Sequence, residues 1–339
     1  MLVIGFRGTA PGPSDPIMRA IAAGDVGGVI LFDRDQLTGT AGRNISSPDQ
    51  LTALTSSLRS TALQGPFGPE FLVAVDQEGG RVARLNPSNG YPSTQSEADL
   101  GARNDLSQTS DAATQTAITL SDAGLGFNLA PVVDLNLNPA NPAIGALGRS
   151  FSADPAVVIA QARAVIEAQQ GAGIKLAIKH FPGEGSATGN TDNGIVDVTA
   201  TWSGVELEPF RALINLGLPD AVMVGHIING QIDPDRPASL SAPTVTGLLR
   251  GDLGWNGVVI SDDMQAPAIT GQFGDAEAIA LAIEAGVDLL LFANQQVYDP
   301  DLAGHVIDSV LAHVASGRIT ESRLDASFAR IEGMFAQVE

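Results

Sequence analysis

Eight short apolar segments recur along this 339-residue chain, and longer amphipathic stretches separate most of them. The segments are rich in Val, Ile and Leu and are hydrophobic throughout, which is typical of parallel strands covered on both faces. The eight predicted strands are Leu2–Phe6, Gly28–Phe32, Phe71–Val75, Phe127–Val133, Ile174–Ile178, Ala221–Val224, Gly257–Ser261 and Val287–Phe292.

Helical patterns occupy most of the intervals between these strands. The pattern over 155–170 is well bounded, because Asp154 and Pro155 suit a helix start and Gly171 follows its last residue. The pattern over 203–216 contains Pro209, so we expect a first turn that is separate from the main helix. The predicted helices span 47–62, 107–123, 155–170, 203–216, 242–253, 275–285, 301–316 and 320–337.

The β/α alternation predicts the fold class. Eight repeats in about 300 residues favour an α/β fold of the (β/α)8 TIM-barrel type, and a doubly wound open sheet is the alternative. No linker, low-complexity segment or block of charge divides the sequence. We therefore expect a single domain over residues 1–339.

Charge and composition exclude several classes of protein. The chain has 18 Lys and Arg against 38 Asp and Glu, a net charge of −20, and such a surface repels nucleic acid. It has no cysteine, which removes disulfide scaffolds, thiolate nucleophiles and iron–sulfur clusters. The longest apolar runs are shorter than the roughly 18 residues of a membrane span. The first residues read as a strand rather than a signal peptide, so we expect a cytoplasmic protein, or a periplasmic or secreted one if an upstream leader was removed.

Polar residues follow several of the predicted strands, and in a barrel these strand ends meet at one mouth. A lysine adjoining a buried strand must be paired or hold a ligand. Asp76 with Arg81 and Arg84 suits a clamp on vicinal hydroxyls, whereas His226 is either a ligand-binding residue or a satisfied buried histidine. His305 and His313 read as surface residues of a late helix. The strand-end residues are Asp76, Asp134, Lys179, His180, His226, Asp262 and Asp263.

A long loop over 182–201 is rich in Gly, Ser, Thr and Asn and carries Glu184, Asp192 and Asp197. Loops of this length in compact domains are usually lids or active-site elements. The loop lacks the Gly-Lys-Ser/Thr ending of a phosphate-binding loop.

Five motifs occur in order along the chain: Asp76–Val82, Gly148–Phe151, Lys179–Gly183, Pro237–Ser241 and Ser261–Met264. Together they resemble glycoside hydrolase family 3, and most closely its single-domain bacterial β-N-acetylglucosaminidase branch. The resemblance implies a barrel and a retaining mechanism through a covalent glycosyl-aspartate, with Asp262 as nucleophile. It also implies a sugar-binding set of Asp76, Arg84, Arg149, Lys179 and His180, to which His226 is added as a strand-end candidate. Retaining chemistry requires one ionised carboxylate below the anomeric carbon, which agrees with Asp262.

The sequence departs from this branch in the loop that carries the acid/base. The branch has Gly-His-Gly, four residues, and then Asp-Ser-His or Asp-Thr-His, whereas this chain has Gly-Glu-Gly and then Asn190-Thr191-Asp192. Three hypotheses follow. Asp192 is the acid/base with Asn190 hydrogen-bonded to it, or Glu184 is, or the protein is a weak or inactive sugar-binding homologue.

Other classes of function remain open from the residues alone. Lys179 at a strand end suits a Schiff-base aldolase, although neighbouring carboxylates would keep it charged. A metal-dependent hydrolase would need a histidine cluster, and His180 and His226 are the histidines at strand ends. We expect neither a metal nor a cofactor. Aromatic residues make up only 5%, so a small saccharide or muropeptide-like substrate is favoured over long polysaccharide, with Trp202 either lining the aglycone side or packing a helix.

Overall fold

Eight parallel strands close into a barrel in the computed structural model, which describes residues 1–336. Each strand pairs with the next along the chain, and the last strand pairs with the first through Leu2 beside Leu290. This confirms the TIM barrel, and the open-sheet alternative is wrong. The barrel strands are β1 (Leu2–Gly5), β2 (Gly28–Ile30), β3 (Leu72–Val75), β4 (Phe127–Asn128), β5 (Lys175–Phe181), β6 (Ala221–Val224), β7 (Val258–Asp263) and β8 (Leu289–Phe292).

Side chains of the strands divide between two apolar layers. One layer fills the barrel interior and includes Val3, Phe127, Ala177 and Ile260. The other layer joins the outer strand faces to the helices and includes Val29, Val73, Ile178 and Val259. Because both faces of each strand are covered, an almost continuous apolar run was the correct signal for these strands.

Strand β4 is shorter than predicted, and β5 and β7 are longer. Pro131 has no N–H to donate within the predicted strand Phe127–Val133, and pairing resumes only at Val132 beside Lys179. Strand β5 instead continues to Phe181, and β7 continues to Asp263. The polar residues at these two strand ends therefore have their backbones fixed within the barrel.

The helices agree with the predicted positions over most of the chain. The helix over Glu208–Asn215 begins after a 3₁₀ turn, Gly204–Leu207, and has Pro209 in its first turn, as expected. The predicted helix over 242–253 is a π-helical segment, Pro243–Asp252. The helices are α1 (Pro16–Ala23), α2 (Pro48–Ala62), α3 (Glu97–Arg103), α4 (Leu106–Asp122), α5 (Pro155–Gln170), α6 (Glu208–Asn215), α7 (Pro267–Thr270), α8 (Asp275–Ala285), α9 (Leu302–Ala315) and α10 (Glu321–Ala336).

Helices α1, α3 and α7 were not predicted. Helix α1 has Pro16 in its first turn and Gly24 after its end with φ of 80°, so its boundary signals were present but its eight residues are short. Gln337, the last residue of the predicted final helix, lies outside the described residues. Within 1–336 no helix combines the length and the hydropathy that a membrane crossing requires.

Candidate active site

The carboxyl ends of the strands surround a cavity of about 490 Å³. The cavity collects most of the predicted site residues from segments that are far apart in the sequence. His226 is not part of its lining. The charged residues that line it include Asp76, Glu78, Arg84, Arg149, Lys179, His180, Glu184, Asp192, Asp262 and Asp263.

Lys179 lies at the centre of a buried ion cluster. Its Nζ is 2.8 Å from Asp76 Oδ1 and 2.7 Å from Glu78 Oε1. Glu78 also forms a two-bond pair with Arg149, at 2.7 and 2.8 Å. Burial opposes the ammonium of Lys179, but Asp76 and Glu78 outweigh it and raise its pKa. Lys179 therefore stays charged, which argues against a Schiff-base aldolase, a reaction that requires the free amine.

Glu78 is the partner that sequence reasoning missed. Burial opposes its ionisation, but the charges of Arg149 and Lys179 hold its pKa well below the usual range. Glu78 lies two residues after Asp76, and alternate residues of an extended chain share a face. This spacing was the sequence signal that could have placed Glu78 beside Asp76. Arg149 is thus engaged in an internal ion pair rather than a surface one.

Of the three residues predicted to form a clamp on vicinal hydroxyls, only Asp76 and Arg84 lie together. Arg84 Nη2 is 3.6 Å from Asp76 Oδ2, whereas Arg81 is exposed and points its guanidinium toward the carbonyl of Ala146. The cause is a hairpin of Gln77–Gly79 and Val82–Ala83, which places Arg81 at the turn. Gly80 has a φ of 58° there, and a Cβ would lie 2.6 Å from Ser96 Cβ, so the turn requires glycine.

Asp134 orients His180. Its Oδ2 is 2.7 Å from His180 Nδ1, and it also accepts the backbone N–H groups of His180 and Glu184. The other ring nitrogen of His180 lies 3.3 Å from Arg149 Nη2. Burial opposes the charged form of His180, but Glu184 and Asp134 raise its pKa. Asp134 was recognised as a strand-end residue, but its role beneath His180 depends on the folded register.

Glu184 is buried beside this pair. Its Oε1 lies 3.8 Å from His180 Nδ1, and its Oε2 has no hydrogen-bond partner in the described part of the chain. Burial first, and then the charges of Asp134 and Asp262, raise the pKa of Glu184 to about 7. A carboxyl with this pKa is able to carry a proton near neutral pH.

Asp134, His180 and Glu184 are also the residues that could hold a metal ion, since their ligand atoms lie within 4.8 Å of one another. The Asp134–His180 hydrogen bond already joins two of these atoms. A metal ion at these residues would have to displace that hydrogen bond.

Asp192 lies on a 3₁₀ turn, Thr191–Asn193, at the cavity wall. Asn190 accepts the backbone N–H of Asp192 at 2.8 Å, so the expected hydrogen bond is made to the backbone and not to the carboxyl. Asp192 belongs to the cavity lining and keeps contact with solvent. Desolvation within the cavity, and then the charge of Asp262, raise its pKa.

Asp262 and Asp263 are neighbours with opposite properties. Burial opposes the ionisation of Asp262, but His226, His180, the Asp263 backbone N–H and Lys179 together lower its pKa. Burial raises the pKa of Asp263 to about 7, and its carboxyl accepts backbone N–H groups from Ala293 and Gln265. Asp262 is therefore the ionised carboxylate, and Asp263 supports the adjoining loops.

His226 is a satisfied buried histidine. Its Nδ1 lies 2.7 Å from Ser239 Oγ, and its Nε2 lies 2.9 Å from the carbonyl oxygen of Asp263. Burial lowers its pKa, so the ring is neutral at neutral pH. It contacts the end of β7 and lies outside the cavity lining.

Trp202 and the late histidines lie away from the cavity lining. Trp202 is buried, and its indole N–H donates to the carbonyl of Pro182. This is the packing alternative for Trp202. His305 is exposed and His313 partly exposed on helix α9, as predicted.

Removal of the Glu78 carboxylate is expected to destabilise the fold. Glu78→Ala leaves Lys179 and Arg149 buried with one counter-charge fewer, and breaking a buried pair costs about 3–5 kcal/mol. Urea unfolding measures this loss. The matched control is Glu284→Ala, which breaks an exposed pair with Arg318 and should cost at most about 1 kcal/mol. Equal losses in the two variants would contradict the buried-cluster interpretation.

Stability is expected to fall as the pH rises through about 7. Glu184, Glu206 and Asp263 each have a folded-state pKa of about 7, above the ordinary carboxyl value. Their contribution is complete below the unfolded pKa and is lost as the pH rises through the folded pKa. Urea unfolding midpoints at about pH 5 and about pH 8 test this. The difference between the two midpoints should be smaller in Glu206→Gln, because one of the titrating carboxyls is removed. A midpoint that rises over this interval would contradict it.

The mouth of the closed (β/α)8 barrel thus holds paired charges together with carboxyls of unequal pKa, an arrangement typical of glycosidases. The profile of the family "Glycosyl hydrolase family 3 N terminal domain" matches residues 7–334. The chain belongs to glycosyl hydrolase family 3.

Individual relatives agree with this assignment. Beta-hexosaminidase A of Pseudoalteromonas piscicida is 31% identical over 327 residues, covering 91% of this chain and 52% of the relative. The glycoside hydrolase family 3 beta-N-acetylglucosaminidase of Paenibacillus sp. str. FPU-7 has a TM-score of 0.88 at 34% identity, covering 99% of this chain and 60% of the other. Beta-N-acetylhexosaminidase of Beutenbergia cavernae DSM 12333 has a TM-score of 0.85 at 32% identity, covering 98% and 95%. The chain thus spans little more than half of the first two relatives.

Proposed function

We propose that this protein is a retaining glycoside hydrolase that releases terminal β-linked N-acetylglucosamine, or a related sugar, through a covalent intermediate on Asp262. The observation that carries the proposal is a single cavity faced by one carboxylate of lowered pKa, Asp262, and by carboxyls of raised pKa at Asp192 and Glu184. This division supplies a nucleophile and a proton donor to the same bond.

The sugar is held by the ion cluster. Asp76 accepts from sugar hydroxyls while Lys179, Arg149 and Arg84 donate, and His180 presents Nε2 toward Arg149 at the same wall. Because these groups are already paired with one another, they keep their positions before substrate arrives. Such preorganisation lowers the cost of ordering the site during binding.

The reaction has two balanced steps. An Asp262 carboxylate oxygen attacks the anomeric carbon, the bond to the leaving oxygen breaks, and the acid transfers its proton to that oxygen. The same residue, now a carboxylate, then removes a proton from water. The hydroxide oxygen attacks the anomeric carbon and releases Asp262.

We assign the acid/base to Asp192. Its carboxyl faces the cavity without a partner side chain among the hydrogen bonds of the described residues, and Asn190 fixes its backbone from below. Glu184 is the second candidate because its pKa of about 7 suits a proton donor. Against Glu184, its carboxyl is buried beside the Asp134–His180 pair, 3.8 Å from His180 Nδ1, whereas Asp192 is exposed at the cavity wall.

The preference for an N-acetylated sugar rests on the names of the relatives, which are hexosaminidases. A cavity of about 490 Å³ lined by charged groups suits one terminal saccharide unit of a short glycoside or muropeptide-like substrate. We also propose that residues 1–339 form one catalytic barrel domain, which the match over 7–334 supports.

Product stereochemistry tests the proposal. The protein is incubated with an aryl β-N-acetylglucosaminide, and proton NMR follows the anomer that forms first. We expect the β anomer, because two inversions at C1 give net retention. Initial release of the α anomer would overturn the covalent mechanism. Binding without any turnover would instead support the inactive sugar-binding homologue.

A further inference from the structure

Glu206 is a buried carboxylate outside the cavity lining that the proposed reaction does not use. It lies on the 3₁₀ turn before α6 and is fully buried. Its Oε1 accepts the hydroxyl of Ser186 at 2.7 Å, and its Oε2 faces the Ser186 backbone N–H at 3.3 Å. Burial of a carboxyl group costs free energy unless hydrogen-bond donors satisfy it. Ser186 supplies such donors to Glu206.

The segment that Glu206 binds is the beginning of the loop that carries both candidate acids. It runs from Gly183 to Ala187, directly after β5. On the opposite side, Asp134 accepts the N–H of Glu184 at 2.9 Å, and Asn141 donates to the Glu184 carbonyl at 2.7 Å. The backbone of Glu184 is thus held between Asp134 and Glu206.

Two glycines permit this close approach. A Cβ on Gly183 would lie 2.7 Å from Glu206 Cβ, and a Cβ on Gly185 would collide with the carbonyl of Leu135. The segment therefore fits between Glu206 and the chain after β4 only because it carries no side chain at these positions. Its direction on leaving the barrel is set by those contacts.

We propose that Glu206 is a positioning residue that fixes the start of the acid/base loop and thereby places Glu184 and Asp192 over the scissile bond. The inference rests on the proposed function, since it concerns the acid-assisted step. Glu206 does not contact the cavity, so its loss acts through the loop. Displacement of a catalytic group by about 1 Å can cost about 100-fold in rate.

The test compares Glu206→Ala, Glu206→Gln and Ser186→Ala with the unchanged protein. The matched control is Glu208→Ala, which removes an exposed carboxylate two residues away. Each protein is assayed on aryl N-acetylglucosaminides with dinitrophenol and with methoxyphenol as leaving groups. Hydrogen exchange followed by mass spectrometry measures protection of peptides that cover 183–193.

We expect Glu206→Ala to lower kcat/KM by about 10- to 100-fold more on the methoxyphenyl substrate than on the dinitrophenyl one, because only the former needs the proton. Exchange over 183–193 should accelerate. Ser186→Ala and Glu206→Gln should show the same pattern more weakly, because each keeps part of the hydrogen bonding. If Glu206→Ala does not fold, the comparison is made with Ser186→Ala and Glu206→Gln instead. Glu208→Ala should match the unchanged protein in both readouts.

An equal loss on both substrates, or unchanged exchange over 183–193, would overturn the assignment and leave Glu206 as a support of the fold. The outcome is separable from that of the proposed function. If the unchanged protein shows no turnover, the proposed function fails, and unchanged exchange in the variants would still refute loop anchoring by Glu206.

Discussion

Asp262→Asn is expected to reduce kcat/KM by about 10⁴-fold or more on every glycoside that the protein cleaves. The amide cannot form the glycosyl ester, while its Oδ1 can still accept the Asp263 backbone N–H that Asp262 accepts at 2.8 Å. The fold should therefore survive the change. Steady-state kinetics with a dinitrophenyl glycoside measures the loss, because that substrate depends least on acid assistance.

Asp263→Asn is the matched control for this prediction. Its Oδ1 accepts two backbone N–H groups, which asparagine also accepts, and its pKa of about 7 means that a neutral side chain is tolerated there. We expect a loss within about tenfold, far below that of Asp262→Asn. A fluorinated glycoside should label Asp262, as read by peptide mass spectrometry. A label on Asp263, or full turnover by Asp262→Asn, would contradict the nucleophile assignment.

Asp192→Asn is expected to lower turnover of glycosides with poor leaving groups by about 10²–10⁴-fold, the usual contribution of general acid catalysis. The loss on dinitrophenyl glycosides should be small in the first step, because that leaving group departs without a proton. Azide should restore turnover, since removing the carboxylate charge admits a small anion to the glycosyl-enzyme. The alkaline limb of the pH profile should disappear in the same variant.

Glu184→Gln separates the two candidate acids. If Asp192 is the acid, Glu184→Gln changes kcat/KM about equally on good and poor leaving groups, because it disturbs the neighbourhood of His180. If Glu184 is the acid, this variant shows the selective loss and the azide rescue, and the alkaline limb of the parent lies near pH 7. If neither variant loses more activity on poor leaving groups than on good ones, the result favours the hypothesis of a weak or inactive sugar-binding homologue.

The barrel could be predicted from sequence because its signals are local. Each apolar segment shows its character within four to seven residues, and charged residues near the ends of β5 and β7 identify the mouth. The same logic failed for β4, where Pro131 interrupts pairing inside an apolar run. It also failed for α1, whose eight residues are too few to show a helical period.

The site could be predicted only in part, because its partners are far apart in the sequence. Asp76, Lys179 and Asp262 were identified from strand ends, but the pairing of Glu78 with Arg149 joins residues 71 positions apart. Orientation of His180 by Asp134 spans 46 positions. Hydrogen-bond partners at such separations are set by strand register, which the pattern of apolar residues does not encode.

The burial of Trp202 has a consequence for how this protein would recognise the leaving group of a glycoside. With its indole bonded to Pro182, it offers no flat ring on which a second saccharide could stack. Among the described residues that line the cavity, Phe32 is the aromatic one, and Arg84 already lies over its ring at 5.4 Å. Discrimination would then reside in the terminal unit alone, and disaccharides, peptide-bearing fragments and synthetic aryl conjugates that share this unit should be accepted with comparable efficiency.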